Sequence, residues 1–269
     1  MGNIVIASPA LSDAATLSTP GTVAATLPLA NLQAMYPGQV CRFTSLAGMA
    51  IVADLGAPYA INLVALVMHS ATAAASWRIR GASSQANLTA APGYDSGTVS
   101  LWPSSGQPSG WPKATSSLFL AGAQTYEWWR IDLADAANPA GYLDIGRLYL
   151  AAAWQPSRNH KTDWSLAYVD DTLVTKSLSG INFVTPRPPR RKVDWTIEFL
   201  SETEMKENAL ELDRLRGASK DVLAIRDPGA TTELQHDTVQ GLQTLQPVTI
   251  GAPSPVLWSK KFTIEELIP

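Results

Sequence analysis

The chain has 269 residues and a formal net charge of −3, with 46% hydrophobic and only 16% charged residues, against roughly 25% charged in typical soluble domains. This length accommodates one large or two ordinary domains, and the slight negative charge excludes a general attraction to nucleic acid or acidic lipid. A single cysteine, Cys41, excludes an intrachain disulfide framework, fits a reducing compartment and reads as a small buried hydrophobe.

The opening MGNIVIASPAL has no positive n-region and only a four-residue apolar run, so it reads as neither a signal segment nor a span. Synthesis in a cytoplasm is expected. Residues 1–24, rich in Ala, Ser, Thr and Pro, read as an extended arm that orders against a neighbour. Residues 51–55 and 61–69 are two apolar strands separated by Gly56-Ala57-Pro58, the second apolar enough to be covered on both faces. Residues 76–81 alternate Trp77 and Ile79 against Arg78 and Arg80. A Gly/Ser/Pro-rich loop region over 93–113 holds the short run 98–102. In 126–133, Trp129, Ile131 and Leu133 share one face and Tyr126, Trp128, Arg130 and Asp132 the other. After a turn over 135–141, residues 142–150 extend again. Short strands, Gly/Pro turns and no long helix predict a β-sandwich over 25–156.

A second domain is predicted over 157–269. It opens on a hairpin, 164–169 with 172–176, turning at Asp170-Asp171. A Pro/Arg run follows, then a strand over 193–200 with Val193, Trp195, Ile197 and Phe199 inward. Ser201 as N-cap and Glu204 at N3 form a capping box for the one helix. Met205, Ala209, Leu212 and Leu215 fall at helical spacing, and Gly217 is placed to stop it. Strands over 222–227 and 261–267 complete a β-rich domain.

Motifs for chemistry are lacking. His69, His160 and His236 have no metal-ligand spacing; Asp95 and Asp135 could supply oxygen ligands but read as turn caps. There is no Gly-x-Ser-x-Gly elbow and no phosphate-binding glycine loop. Adjacent Asp170 and Asp171 fit a turn better than a glycosidase pair. No catalytic residue, metal or cofactor is assigned. The cationic run Arg187, Arg190, Arg191 and Lys192 has three readings: a proline-stiffened linker, a contact with acids of a neighbouring copy, or a phosphate contact. Trp102 and Trp111, in the loop-rich region, are the candidates for stacking on a sugar. Trp77, Trp128, Trp129 and Trp195 fit core or interface.

WWRIDLADAANPAGYLDIGRLYLAAAWQP, with SWRIRG at 76–81 and YDSG at 94–97, resembles the sandwich domain of tail-tip and baseplate proteins of long-tailed bacteriophages. That resemblance implies a galactose-binding-like jelly roll over 25–156, and a virion structural protein rather than an enzyme. The element order of 157–269 resembles the tube-docking, belt-like domain of phage distal tail proteins, whose copies join into a ring. The implied fold is mainly β, a jelly roll followed by a β-rich belt-like domain with one α-helix. Implied partners are further copies of the chain, as a hexamer or a trimer, together with tail-tube, hub and fibre proteins. No nucleic acid and no membrane insertion are expected. The alternative is a carbohydrate-binding module protein contacting a host envelope.

Overall fold

The computed structural model describes residues 2–8, 10–102, 114–230, 234–250 and 257–268. Its strands are β1 (Val5–Ala7), β2 (Thr16–Ser18), β3 (Cys41–Phe43), β4 (Ala50–His69), β5 (Ser76–Ala82), β6 (Tyr94–Ser100), β7 (Ala114–Ala134), β8 (Leu143–Ile145), β9 (Arg147–Ala151), β10 (Ser165–Val169), β11 (Leu173–Lys176), β12 (Asn182–Thr185), β13 (Arg190–Leu200), β14 (Asp221–Ile225), β15 (Thr238–Gln243), β16 (Val248–Ile250) and β17 (Trp258–Glu266). The fold is mainly β, as the sequence predicts. Two compact units emerge, Met1–Gln155 with Leu223–Thr238, and Pro156–Val222 with Val239–Ile268.

The first unit is a β-sandwich organised by β4 and β7. These pair antiparallel from Ala50↔Asp132 to His69↔Ala114 through three register shifts. The predicted break at Gly56 is therefore a bulged stretch inside one strand; Gly56 has φ 73°, which glycine adopts without steric cost. β5 joins β7 and β6 joins β5, while β2 and β9 pair with opposite halves of β4. Trp129, Ile131 and Leu133 face inward as the alternation predicts, packing with Ile51, Trp77, Ile79 and Leu148. Leu63, Ala65 and Val67 point to the other side of β4, into a second cluster with Tyr149, Leu223 and Ile225. The 61–69 segment is thus covered on both faces.

Three further expectations change. Residues 142–150 split at Gly146, where a Cβ would meet the Pro37 carbonyl at 2.5 Å; β8 pairs with β3 and β9 with β4. Residues 1–24 are built into the unit rather than forming an arm, with β1 paired to Leu223–Ile225 and Val5, Ile6 and Ala7 buried. The buried Arg147 guanidinium clips this region down, donating to the carbonyls of Gln33 (2.9 Å) and Ala34 (3.3 Å) and to Asp13 (3.1 Å). Finally, Leu223–Thr238 packs with the first unit, because its apolar side chains Leu223, Ile225 and Leu234 belong to that second cluster.

In the second unit β17 is central, flanked by β13 on one side and by β15 and β16 on the other, with β10 beyond β13. Val193, Trp195 and Ile197 are buried as predicted, and Trp195 stacks between Trp164 and Phe262 at 5.3 and 5.4 Å. Phe199 departs from the pattern. A register shift between Ile197 and Leu200 turns it outward with φ 62°, and Leu200 is buried in its place. The helix begins at the predicted capping box: Glu204 N–H donates to Ser201 Oγ (3.2 Å) and Ser201 N–H to Glu204 Oε2 (3.3 Å). It runs as a π-helix over Glu204–Leu210, then as an α-helix over Glu211–Arg216, and ends at Gly217 with φ 53°. Met205, Ala209 and Leu212 are buried, but the next inward position is Arg216, leaving Leu215 exposed.

Gly81 and Gly93 both lie beneath the Tyr126 ring, where an added Cβ would come within 2.7 and 2.5 Å of its atoms. Gly81→Ala is expected to cost about 1–3 kcal/mol through overpacking, measured by urea denaturation. In a Tyr126→Ala background the same change should cost almost nothing; an equal cost there would show that the ring is not the obstacle.

Candidate functional site

The most unusual surface of the second unit is a two-stranded ribbon. β10 and β11 form one arm and β12 and β13 the other, so that Val169↔Arg190 is followed by Leu173↔Thr185. The predicted hairpin across Asp170-Asp171 is absent: β10 pairs with β13, and β11 with β12. Between the two ladders lie 170–172 on one arm and Pro186-Arg187-Pro188-Pro189 on the other. Three prolines cannot donate to a ladder, so pairing lapses there. Asp170 Oδ1 accepts from Thr172 N–H (2.8 Å) and Thr172 Oγ1 from Arg187 N–H (3.2 Å), closing the joint. The reversal occurs at 177–181, where Ser177 N–H reaches the Ile181 carbonyl (2.9 Å) and Gly180 takes φ 84°.

This ribbon is apolar and uncovered. Every residue of β11 and β12 is exposed. Eight of the fourteen exposed large hydrophobics among the described residues fall within 165–185, which locates the feature: Leu166, Tyr168, Leu173, Val174, Leu178, Ile181, Phe183 and Val184. Cross-strand register puts Val174 and Val184 on one face, and Leu173 and Phe183 on the other. Neither face is the polar, solvated side that a one-sided sheet presents.

The basic run is consumed largely within the chain. Arg191 is buried, donating its backbone N–H (3.0 Å) and Nε (2.9 Å) to Glu266 Oε2 and Nη2 to Oε1 (2.5 Å). Arg190 bonds Asp171 (2.8 Å) and Glu265 (3.3 Å), and Lys192 pairs with Glu265 at 3.2 Å. The Asp171 hydrogen bond is the main cause holding the Arg190 guanidinium above its ordinary pKa. Three of the four proposed contact cations thus brace β13 against β17 and the ribbon joint, while Arg187 stays exposed. Their recognition required the C-terminal Glu265-Glu266 pair, distant in sequence.

A buried polar layer lies between helix and sheet in the same unit. Lys260, 2% exposed, donates Nζ to the Ala209 carbonyl (2.7 Å), where π-helix gives way to α-helix, and pairs with Asp213 at 2.5 Å. Burial lowers the Lys260 pKa, opposed by the bond and charge of Asp213. Arg216 donates to the Asp221 carbonyl (3.0 and 2.8 Å) and Oδ1 (3.1 Å), and Gln240 to Asp221 Oδ2 (2.7 Å). These bonds fix the helix; they leave its charges committed rather than presented.

The sugar candidates do not come together. Trp102 is 6% exposed, packed in the first unit's core and set edge-on to His69 at 5.3 Å, so its ring offers no open face for stacking. Trp111 lies outside the described residues. Asp95 is bonded to Arg78 and to Gly97 N–H (2.9 Å), and Asp135 to Thr72 N–H (2.9 Å) and Asn138 (2.8 Å). Both cap turns, as read, and Arg78 is the main cause lowering Asp95 to about 2. Cys41 is buried, and burial, with Asp144 adding to it, pushes its thiol up to about 12, far from a reactive thiolate.

One Ser–His pair exists that spacing did not reveal. His69 Nε2 lies 2.7 Å from Ser116 Oγ, but Ser116 Oγ donates to the Leu101 carbonyl and His69 Nδ1 accepts from Ala71 N–H (3.3 Å). Neutral His69 therefore carries its proton on Nε2 and donates to the serine. A base of that tautomer cannot take the serine proton, so the pair is a structural clasp.

No protein-family model and no curated protein matches the chain. Solved structures match about half of it. A family 32 carbohydrate-binding module from a family 31 glycoside hydrolase of Clostridium perfringens is 6% identical over 51% of this chain and 93% of that one, with TM-score 0.36. The galactose complex of the family 32 module of C. perfringens NanJ is 9% identical over 55% and 99%, with TM-score 0.38. Chitosan-binding module 1 of a Paenibacillus chitosanase/glucanase is 14% identical over 54% and 99%, with TM-score 0.38. At these identities and scores the ligands belong to those proteins alone.

Breaking the Arg191–Glu266 pair by Arg191→Met strands a buried carboxylate and is expected to cost roughly 3–5 kcal/mol. Arg187→Ala should stay within about 0.5 kcal/mol; chemical denaturation reads both, and equal effects would mean that the run acts as one surface patch. His69 supplies a pH test. Burial holds its folded pKa down to about 3, from an ordinary 6.5, with Asp135 opposing. Between those values the unfolded chain binds the extra proton, so stability falls as pH drops below 6.5, by about 3 kcal/mol at pH 4. A His69→Gln variant should lose that part of the pH dependence; an unchanged slope would assign it to other groups.

Proposed function

We propose that the chain is a non-enzymatic structural protein of a bacteriophage tail tip or baseplate, forming a ring that links the tail tube to hub and fibre proteins. The observation that carries this reading is the exposed apolar ribbon of residues 165–185. An isolated two-stranded hairpin is at best marginally stable in water, and uncovered apolar surface of this kind marks a protein or membrane contact. The tail-tip resemblance of residues 76–81, 94–97 and 128–156 supplies the setting, a virion assembled in a host cytoplasm. A ring of six copies, or three nearer the hub, fits that setting. The sandwich would then dock fibres or lower baseplate proteins.

The second reading is a carbohydrate-binding module protein that touches the host envelope. The β-sandwich favours it, since loops at the ends of such a scaffold are suited to holding ligands. Of its two tryptophans Trp102 is enclosed in the core, so Trp111 would have to act with other residues.

Antibody against the chain, applied to particles of the phage that encodes it, should label the tail tip in electron micrographs. Particles that carry no label, together with glycan-array binding by the purified chain that is abolished in Trp111→Ala, would replace the structural reading with the second one.

A further inference from the structure

We propose that the outward face of β5 and β7 in the first unit is a binding site for an acidic saccharide, its carboxylate held between Arg80 and Arg130 and its ring lying along Trp128. This rests on the carbohydrate-binding reading and names its ligand class and its place in the fold. Trp77, Ile79, Trp129 and Ile131 point into the core, so strand alternation turns Arg78, Arg80, Trp128, Arg130 and Asp132 to the other side of the sheet. Antiparallel register sets Arg80 directly across from Arg130, Arg78 across from Asp132 and Ala82 across from Trp128. Like charges at facing positions repel, so the Arg80–Arg130 pair calls for an anion.

The chain supplies one carboxylate to both. Asp132 Oδ2 accepts from Arg80 Nη2 (2.5 Å) and Asp132 Oδ1 from Arg130 Nε (2.8 Å). Asp95, on β6, is taken by Arg78 and by Gly97 N–H (2.9 Å). Asp54 shares this face opposite Trp128, and its Oδ1 accepts from Gly56 N–H (2.8 Å). Three arginines thus meet three aspartates, and the shortage of acceptors is local to Arg80 and Arg130. Arg80 is only 8% exposed, and its Nε–H is buried with no hydrogen-bond partner. The great majority of buried donors in native proteins are paired, by water or an ion where the chain offers nothing. Arg130, with 23% of its side chain exposed, opens the pair to solvent. A carboxylate presents two oxygens to such guanidinium forks, the geometry in which arginine binds anions most strongly. Trp128 stands two residues from Arg130, about 7 Å along β7, half-buried against Val52, Ala82 and Leu88. A sugar with a carboxylate on its ring bridges that gap, its C–H groups against the indole.

The test titrates the full chain by calorimetry with trigalacturonate, with its neutral methyl ester and with sodium acetate. Trigalacturonate is expected to bind, and both the ester and acetate to bind at least roughly tenfold more weakly. Arg130→Gln and Arg130→Lys should each weaken trigalacturonate binding by a similar factor, because lysine keeps the charge but loses the fork. Arg130 is partly exposed and Asp132 keeps Arg80 in both variants, so urea midpoints close to the parent's are expected to separate binding from folding. Trp111→Ala should leave trigalacturonate binding unchanged. Equal affinity for acid and ester, undiminished binding in either Arg130 variant, or acetate bound as tightly as the trisaccharide would each overturn the proposal. Neutral glycans bound through Trp111, with no preference for trigalacturonate, would overturn it while retaining the carbohydrate-binding reading; failure to bind any glycan would end both.

Discussion

The antiparallel ladder between β4 and β7 is the constraint on which the first unit depends. Each strand is about three times the usual length, and each bends at register shifts rather than ending. One strand pair thereby serves two layers. Its first half presents Ile51, Trp129 and Ile131 to the main core, while Leu63, Ala65 and Val67 in the second half face the cluster completed by β1 and Leu223–Ile225. Bulges allow this because each inserted residue re-aims the alternation without sacrificing the ladder on either side. The buried Arg147 then has a fixed strand from which to hold the 3-10 turn at Leu29–Gln33 and Asp13.

Much of this was legible where the physics is local. The period-two pattern of 126–133 named its buried face, and the Ser201/Glu204 capping box and Gly217 stop framed the helix. Legibility failed where the pattern crosses a bulge. Phe199 is the next inward position after Ile197 by alternation, yet the register shift sends it outward. Leu215 and Arg216 are equally plausible by helical spacing; only Asp221, supplied by the chain after Gly217, shows why the arginine turns in. Pairing over long sequence separations was equally hidden. Nothing near Arg191 announces Glu266, and the N-terminal composition that reads as an arm does not show a partner strand more than 200 residues away.

The ribbon is hidden in the sequence for a physical reason. Asp170-Asp171 looks like the turn because acidic pairs favour turns, but a stronger signal stands eight residues after Asp171. Ser179-Gly180 is a turn dipeptide flanked by LVTK and NFVT, both rich in β-branched and aromatic residues. Reading that turn as the tip makes 165–185 one ribbon and turns the prolines at 186–189 into its joint rather than a linker. Trp102 and Trp111 fit a sugar site by sequence because aromatic rings in loops can hold sugars. For Trp102 the deciding fact is the T-shaped packing against His69, which a spacing of 33 residues cannot disclose.

A ribbon with apolar residues on both faces also lacks the usual protection of exposed strands. Natural sheets protect exposed edges with charges, prolines or bulges, because unpaired strands recruit other chains. Here the prolines stand at the base, where they separate the ribbon from the sheet, and the strands themselves hold one charged side chain, Lys176, among Leu173, Val174, Phe183 and Val184. The second unit meanwhile holds three internal pairs, Arg191–Glu266, Arg216–Asp221 and Lys260–Asp213. Internal ion pairs hold the base rigid, and the proline joint holds the ribbon away from it. A stiff base with an uncovered apolar extension is the arrangement that loses least conformational entropy on capture by a neighbour, since the surface to be buried is already displayed.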